Sequence, residues 1–120
     1  PVFAIGCETD HIAAWDASLN GVRQMGSKDK TFVMSQSGHI AGIVNPPSKN
    51  KYGHYTNADL TDPETWRENA ELTDGSWWPV WEKWLSARSE DMIPARKIGT
   101  KKFPILCAAP GTYVLSKPNT

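Results

Sequence analysis

Two short apolar runs, residues 2–5 and residues 31–34, bracket a segment whose large apolar side chains return every three or four positions. Ile12, Trp15, Leu19, Val22 and Met25 make that stripe, which predicts an amphipathic helix stopped near Gly26. Val2, Phe3, Ala4 and Ile5 leave no polar face before Gly6, the pattern of a strand covered on both sides. Thr31, Phe32, Val33 and Met34 make a second strand of β-branched and aromatic residues. Strand, helix and strand with short connections predict a right-handed βαβ unit over residues 1–45, with the two strands parallel neighbours. The expected class is α/β: a last βαβ unit of a mainly parallel sheet, then helices and an irregular tail. The later residues offer little to pair with these strands. Because Pro1 leads straight into the first strand without a methionine, the sequence reads as the start of a fragment.

Asn45, Pro46 and Pro47 end the regular pattern, and residues 46–62 read as a polar loop. Asp62, Pro63 and Glu64 then follow the order that a helix start favours, which predicts a short helix from Pro63 to about residue 70. Ser76 is placed to cap a further helix to about residue 88, with Pro79 in its first turn. Five of the six tryptophans lie in this Trp-rich helical stretch, residues 63–88. Trp77, Trp78, Trp81, Trp84 and Leu85 share one broad side, which is either core or a surface for an apolar polymer or a partner. Recurrent prolines and glycines make residues 89–120 an irregular tail, expected to wrap over a body supplied mostly elsewhere.

Thirteen basic and thirteen acidic side chains cancel, so no positive surface for nucleic acid is expected. No apolar run approaches the roughly 18 residues of a membrane span. Cys7 and Cys107 lack the density of a disulfide scaffold and the pairing of a zinc site, and are expected as reduced thiols in a cytosol.

In an open parallel sheet, reactive groups gather in the loops after the strands. Asp10 follows the first strand and His39 the second, which would bring a carboxylate and an imidazole to one sheet edge. Such a carboxylate fixes the imidazole tautomer and stabilises the imidazolium formed when the other nitrogen takes a proton. Gly38, Ala41 and Gly42 leave room beside the ring. The competing reading makes Asp10 a cap of the following helix and His39 a plain loop residue. No Gly-x-Ser-x-Gly or Gly-x-Cys-x-Gly elbow is present, and Cys7 reads as a small buried hydrophobe. His11 lies beside Asp10 but points the other way along an extended segment, so a packing role is favoured. Lys49, Lys51, His54 and Tyr55 could meet phosphates, although a solvated loop is favoured. His11, His39, His54 and Asp10 lack the close spacing of zinc motifs, and no metal is expected.

Glu8-Thr9-Asp10-His11-Ile12, the run from Ser37-Gly38-His39-Ile40-Ala41-Gly42 to Asn50-Lys51, Gly75-Ser76-Trp77-Trp78-Pro79 and Ala109-Pro110-Gly111-Thr112-Tyr113-Val114 resemble, in order, the carboxyl-terminal part of polyhydroxyalkanoate synthases. The resemblance implies the C-terminal portion of one α/β-hydrolase catalytic domain spanning residues 1–120. It implies a Cys-Asp-His triad in which a cysteine attacks the thioester of an (R)-3-hydroxyacyl-coenzyme A and carries the growing polyester. Asp10 and His39 fall on the family's aspartate and histidine. His39 would activate the thiol, while Asp10 would either orient His39 or help to deprotonate the 3-hydroxyl of the incoming unit. The cysteine has no counterpart here, so this chain alone is expected to be inactive.

The implied partners are the coenzyme A thioester, probed by family likeness as a short hydroxyacyl unit, the polyester and the surface of cytoplasmic polymer granules, with a homodimer as the full-length state. Coenzyme A leaves as product, so no retained cofactor is implied. Ala14 stands where the family often has proline, a departure that touches the helix entry more than the chemistry. Two rivals remain: an esterase or polyester depolymerase using the same pair with water as acceptor, and a non-catalytic Trp-rich module that adheres to granules or a partner.

Overall fold

The computed structural model describes residues 1–117. The chain divides into two compact units, Pro1–Ser89 and Glu90–Thr120. In the first, the elements run β1 (Val2–Cys7), α1 (Trp15–Gln24), β2 (Lys30–Ser35), β3 (His54–Thr56), α2 (Pro63–Glu68), β4 (Glu71–Thr73) and α3 (Trp78–Ser86). The four strands form one sheet in the order β1-β2-β3-β4. β1 and β2 are parallel, in register from Val2 opposite Lys30 to Cys7 opposite Ser35. The next two pairings are antiparallel, with Ser35 opposite His54 and His54 opposite Thr73.

Side chains alternate across a strand, and each face of this sheet has its own cover. On one face Phe32 and Met34 join Leu19 and Val22 of α1, Tyr55 of β3 and Trp66 of α2 in a buried cluster. Trp66 stands edge-on to Phe32 at 5.2 Å between ring centres, and its indole N–H donates to the Asn57 carbonyl at 3.3 Å. On the other face Phe3 stacks on Trp77 at 6.3 Å and meets Trp84 edge-on at 5.5 Å. That two-sided cover is why the β1 sequence carries no polar face. Gly6 admits α1 closely: a Cβ there would stand 3.0 Å from Trp15 and from the tip of Phe32.

The observed class is mixed α/β, and several boundaries differ from the sequence expectation. The expected parallel β1–β2 pair is present, and among the described residues the other two pairings of the sheet are antiparallel. Residues 46–62 are not loop throughout, because His54–Thr56 pairs along the edge of β2. Within 63–88 the helices are separated by β4, which extends the sheet from β3. Both strands have three residues, too few for a periodic signal, and they exist through pairing with β2 and its neighbour. Helix α1 is shorter than its stripe: Ile12 precedes it, Met25 caps it in extended conformation, and both side chains are exposed. The Asp10 carboxylate accepts from the Ile12 and Ala13 N–H groups in a turn, and the helix starts after that turn, at Trp15.

Local start signals act where the sequence places them. The Asp62 side chain accepts from Thr65 N–H at 3.1 Å with Pro63 at the first helical position, and the Ser76 hydroxyl accepts from Trp78 N–H at 3.1 Å. In the second unit the described residues hold one short 3-10 turn, Tyr113–Leu115, and side chains such as Met92, Leu106 and Tyr113 are exposed. No helix among the described residues is long and apolar enough to cross a membrane.

Candidate functional site

β1 and β2 are parallel and end in register, so the loops that follow them leave the same edge of the sheet. Two backbone hydrogen bonds continue the pairing past the strand ends, from Glu8 N–H to the Ser35 carbonyl at 2.8 Å and from Thr9 N–H to the Ser37 carbonyl at 3.1 Å. Ser37 takes a φ of 76°, a left-handed conformation that breaks the extended path before His39. Residues 38–44 then coil into a compact turn, closed by Gly42 N–H to the Gly38 carbonyl at 2.9 Å and Val44 N–H to the Ile40 carbonyl at 2.8 Å. Gly42 sits tight against the end of β1, because a Cβ there would lie 2.6 Å from Cys7 Sγ.

This framework brings Asp10 and His39 together, with Asp10 Oδ2 2.7 Å from His39 Nδ1. The other carboxylate oxygen accepts from Ile12 N–H at 2.9 Å and Ala13 N–H at 3.0 Å. Asp10 does not cap α1, whose N-cap is Ala14: one of its oxygens closes a turn ahead of the helix and the other contacts the imidazole. The Asp10 side chain is 6% exposed whereas that of His39 is 46% exposed. The Ala13 N–H holds the carboxyl down to about 2, helped by the His39 and Ile12 hydrogen bonds against partial desolvation. An anion at Nδ1 makes that nitrogen the donor, which leaves Nε2 with the lone pair that can accept a proton. The arrangement supplies a base and its orienter.

The other candidates fall elsewhere. His11 is exposed and is not part of this pair. His54 is not in a solvated loop: it is buried in β3, with Nδ1 2.9 Å from the Gly75 carbonyl, and Tyr55 lies in the core. Lys49 and Lys51 alone of that group are exposed. Cys7 is a buried free thiol, pushed up to about 11 by burial and then by the Asp10 charge, which suits a packing residue and not a nucleophile. Cys107 is an exposed free thiol in the second unit. Among the described residues no three His, Cys, Asp or Glu side chains are grouped to hold a metal ion. A groove of about 780 Å³, lined in part by Lys30, Phe32, Thr56, Ser76 and Lys83, includes neither Asp10 nor His39.

One supporting pair has no signal in the sequence. Arg67 of α2 donates to Glu8 at 2.8 Å and lies 3.9 Å from the centre of the Tyr55 ring, tying the start of the Asp10 loop to α2 and β3. Its partners are 59 positions apart. Nothing local marks either residue.

A mixed α/β sheet that delivers a carboxylate and an imidazole from consecutive strand ends offers groups that can act as a base and its orienter beside a nucleophile. No family model matches the chain. Among curated proteins it is 40% identical over 117 residues to poly(3-hydroxyalkanoate) polymerase 2 of Ectopseudomonas oleovorans, covering 96% of this chain and 21% of that protein. It is 44% identical over 115 residues to a poly(3-hydroxyalkanoate) polymerase subunit of Rhizobium meliloti, covering 95% of this chain and 18% of the relative. The corresponding subunit of Cupriavidus necator is 39% identical over 120 residues, covering 98% of this chain and 20% of the relative. Over nearly its whole length the chain is similar to these poly(3-hydroxyalkanoate) polymerases, and it spans about a fifth of the length of these relatives.

Proposed function

We propose that this chain is the acid–base portion of a polyhydroxyalkanoate synthase with an α/β-hydrolase catalytic domain, and that Asp10 and His39 complete a triad with a cysteine on the remainder of the protein. His39 Nε2 takes the thiol proton as the sulfur attacks the thioester carbonyl of an (R)-3-hydroxyacyl-coenzyme A. The carbon–sulfur bond to coenzyme A breaks, the departing thiolate takes the proton back from the imidazolium, and the acyl group stays on the cysteine. The 3-hydroxyl of a second hydroxyacyl-coenzyme A then attacks that acyl carbon while His39 takes the hydroxyl proton; the bond to the cysteine sulfur breaks, the cysteine thiolate recovers the proton from the imidazolium, and the lengthened thioester reacylates the cysteine with release of coenzyme A.

The observation that carries this reading is the 2.7 Å contact of Asp10 with His39 Nδ1, which leaves the other ring nitrogen for proton transfer. It also favours one role for Asp10. A carboxylate that already accepts from two N–H groups and an imidazole, with 6% of its side chain exposed, is suited to orienting His39 and poorly placed to reach a substrate hydroxyl. Its low proton affinity, about 2, makes it a weak base as well.

Within the same proposal coenzyme A is a released product and no cofactor is retained. The polyester and the surface of cytoplasmic granules are the partners, and the full-length protein is a homodimer. In the complete polymerase, His39→Ala lowers polymer formation by about 10³-fold or more, as expected for loss of the base. Retained turnover, or a serine where the cysteine is expected, overturns the synthase reading; granule adhesion with no dependence of activity on His39 would instead mark a binding module.

A further inference from the structure

The two tryptophans at the start of α3 reach back to the turn that carries His39. Trp77 Nε1–H donates to the Gly42 carbonyl at 3.0 Å, and Trp78 Nε1–H donates to the Ile43 carbonyl at 2.9 Å. Two consecutive indoles thus grip two consecutive carbonyls just beyond the histidine. The first of these bonds is buried, where a carbonyl deprived of its donor has no ready replacement.

The grip is itself braced. The Trp77 ring stacks on Phe3 of β1 and meets Trp78 edge-on at 6.5 Å. His54 of β3 donates from Nδ1 to the Gly75 carbonyl, while Gly75 takes a φ of 86° that a side chain would strain. Contacts therefore run from β3 through residues 75–78 to residues 42–43. From below, the Gly42 backbone rests against Cys7. The remaining tryptophans of α3 do not share this geometry: Trp81 is exposed, and the buried Trp84 Nε1 has no hydrogen-bond partner among the described residues.

We infer that Trp77 and Trp78 are positioning residues for His39, their indole N–H groups holding the histidine turn so that the imidazole stays on Asp10. The role in turnover rests on the synthase reading, while the hold on the turn is a separate claim. An imidazole carried on a turn without these donors would sample positions away from the carboxylate, losing time in the reactive geometry without losing substrate affinity.

The test uses the complete polymerase with Trp77 and Trp78 replaced, singly and together, by phenylalanine and by a benzothienyl analogue of tryptophan. The analogue keeps the ring shape and puts sulfur in place of the N–H. Each lost donor is expected to lower kcat by about fivefold, with KM within about twofold, the size of one ordinary hydrogen bond. In the doubly substituted analogue, the His39 imidazole N–H resonance, read by ¹⁵N-histidine labelling, is expected to broaden by solvent exchange. Trp81→Phe should change neither quantity. If the phenylalanine variants fail to fold, the analogue decides. Unchanged kcat and an unchanged His39 resonance in the double analogue overturn the inference. Should His39→Ala leave turnover intact, the synthase reading alone fails, and the resonance still judges whether the indoles hold the turn.

Discussion

His39 and His54 are both held through Nδ1, at 2.7 Å and 2.9 Å, yet their surroundings assign them opposite work. His39 bonds a carboxylate on an exposed turn, so its free nitrogen can meet a reactant and any positive charge on the ring has an anion beside it. His54 bonds a backbone carbonyl, with 3% of its surface exposed, so its ring braces the turn at Gly75 and has no carboxylate beside it to balance a positive charge. The residue type and the hydrogen-bonded atom are shared. Partner and access make the difference.

That contrast breaks most readily by substitution. His39→Gln in the complete polymerase should lower kcat by about 10³-fold or more while costing less stability than the change at His54, because the ring is half exposed and Asp10 keeps its two backbone donors. His54→Leu should cost about 1–3 kcal/mol of stability by leaving the Gly75 carbonyl without its donor, with a turnover loss no larger than the roughly fivefold expected when the turn it braces is loosened. Urea unfolding and turnover measured on the same preparations separate the two; an equal stability loss at both sites would erase the distinction. Gly42→Ala comes next in size. Its methyl group would meet Cys7 Sγ at 2.6 Å and the Gln36 and Gly38 carbonyls at 3.0 Å, so the turn must move, at a cost of about 1–3 kcal/mol. A structure of that variant should show His39 drawn away from Asp10; an undisturbed pair would mean that Cys7 yields instead.

The sequence made the βαβ half of the fold legible because its patterns are local and long enough to repeat. From the two strands alone Asp10 and His39 fall at one edge of the sheet, and the quoted motifs carried the likeness to polyhydroxyalkanoate synthases as well. What stayed hidden depends on partners distant in the chain. β3 and β4 each have three residues and owe their form to the sheet edge they join. That pairing is also what turns His54 from a supposed loop residue into a core one. Arg67 finds Glu8, and Trp77 and Trp78 find the carbonyls of Gly42 and Ile43, through packing of separate elements. The Ile12 to Met25 stripe misled at its ends because the Asp10 turn occupies Ile12 and Ala13 ahead of the helix and Met25 leaves it in extended conformation.

The smallest expected effect sharpens the comparison through pH, since a carboxylate partner titrates and a carbonyl partner does not. Asp10 is held down to about 2 from an ordinary value of 3.8, first by the Ala13 N–H and further by His39 and Ile12. A carboxyl depressed in the folded state favours folding once it is ionised, so its contribution is present above about pH 4 and is lost as pH falls through about 2. Asp10→Asn removes that contribution at every pH. The stability difference between the parent and Asp10→Asn should therefore shrink between about pH 4 and pH 2, whereas the difference between the parent and His54→Leu should carry no such contribution from its carbonyl partner. Acid titrations of chemical unfolding for the three proteins measure both differences directly. A gap between parent and Asp10→Asn that stays constant across that window would mean that the carboxyl is not held by its three donors, and with it would go the argument that Asp10 serves as an anion fixing the imidazole.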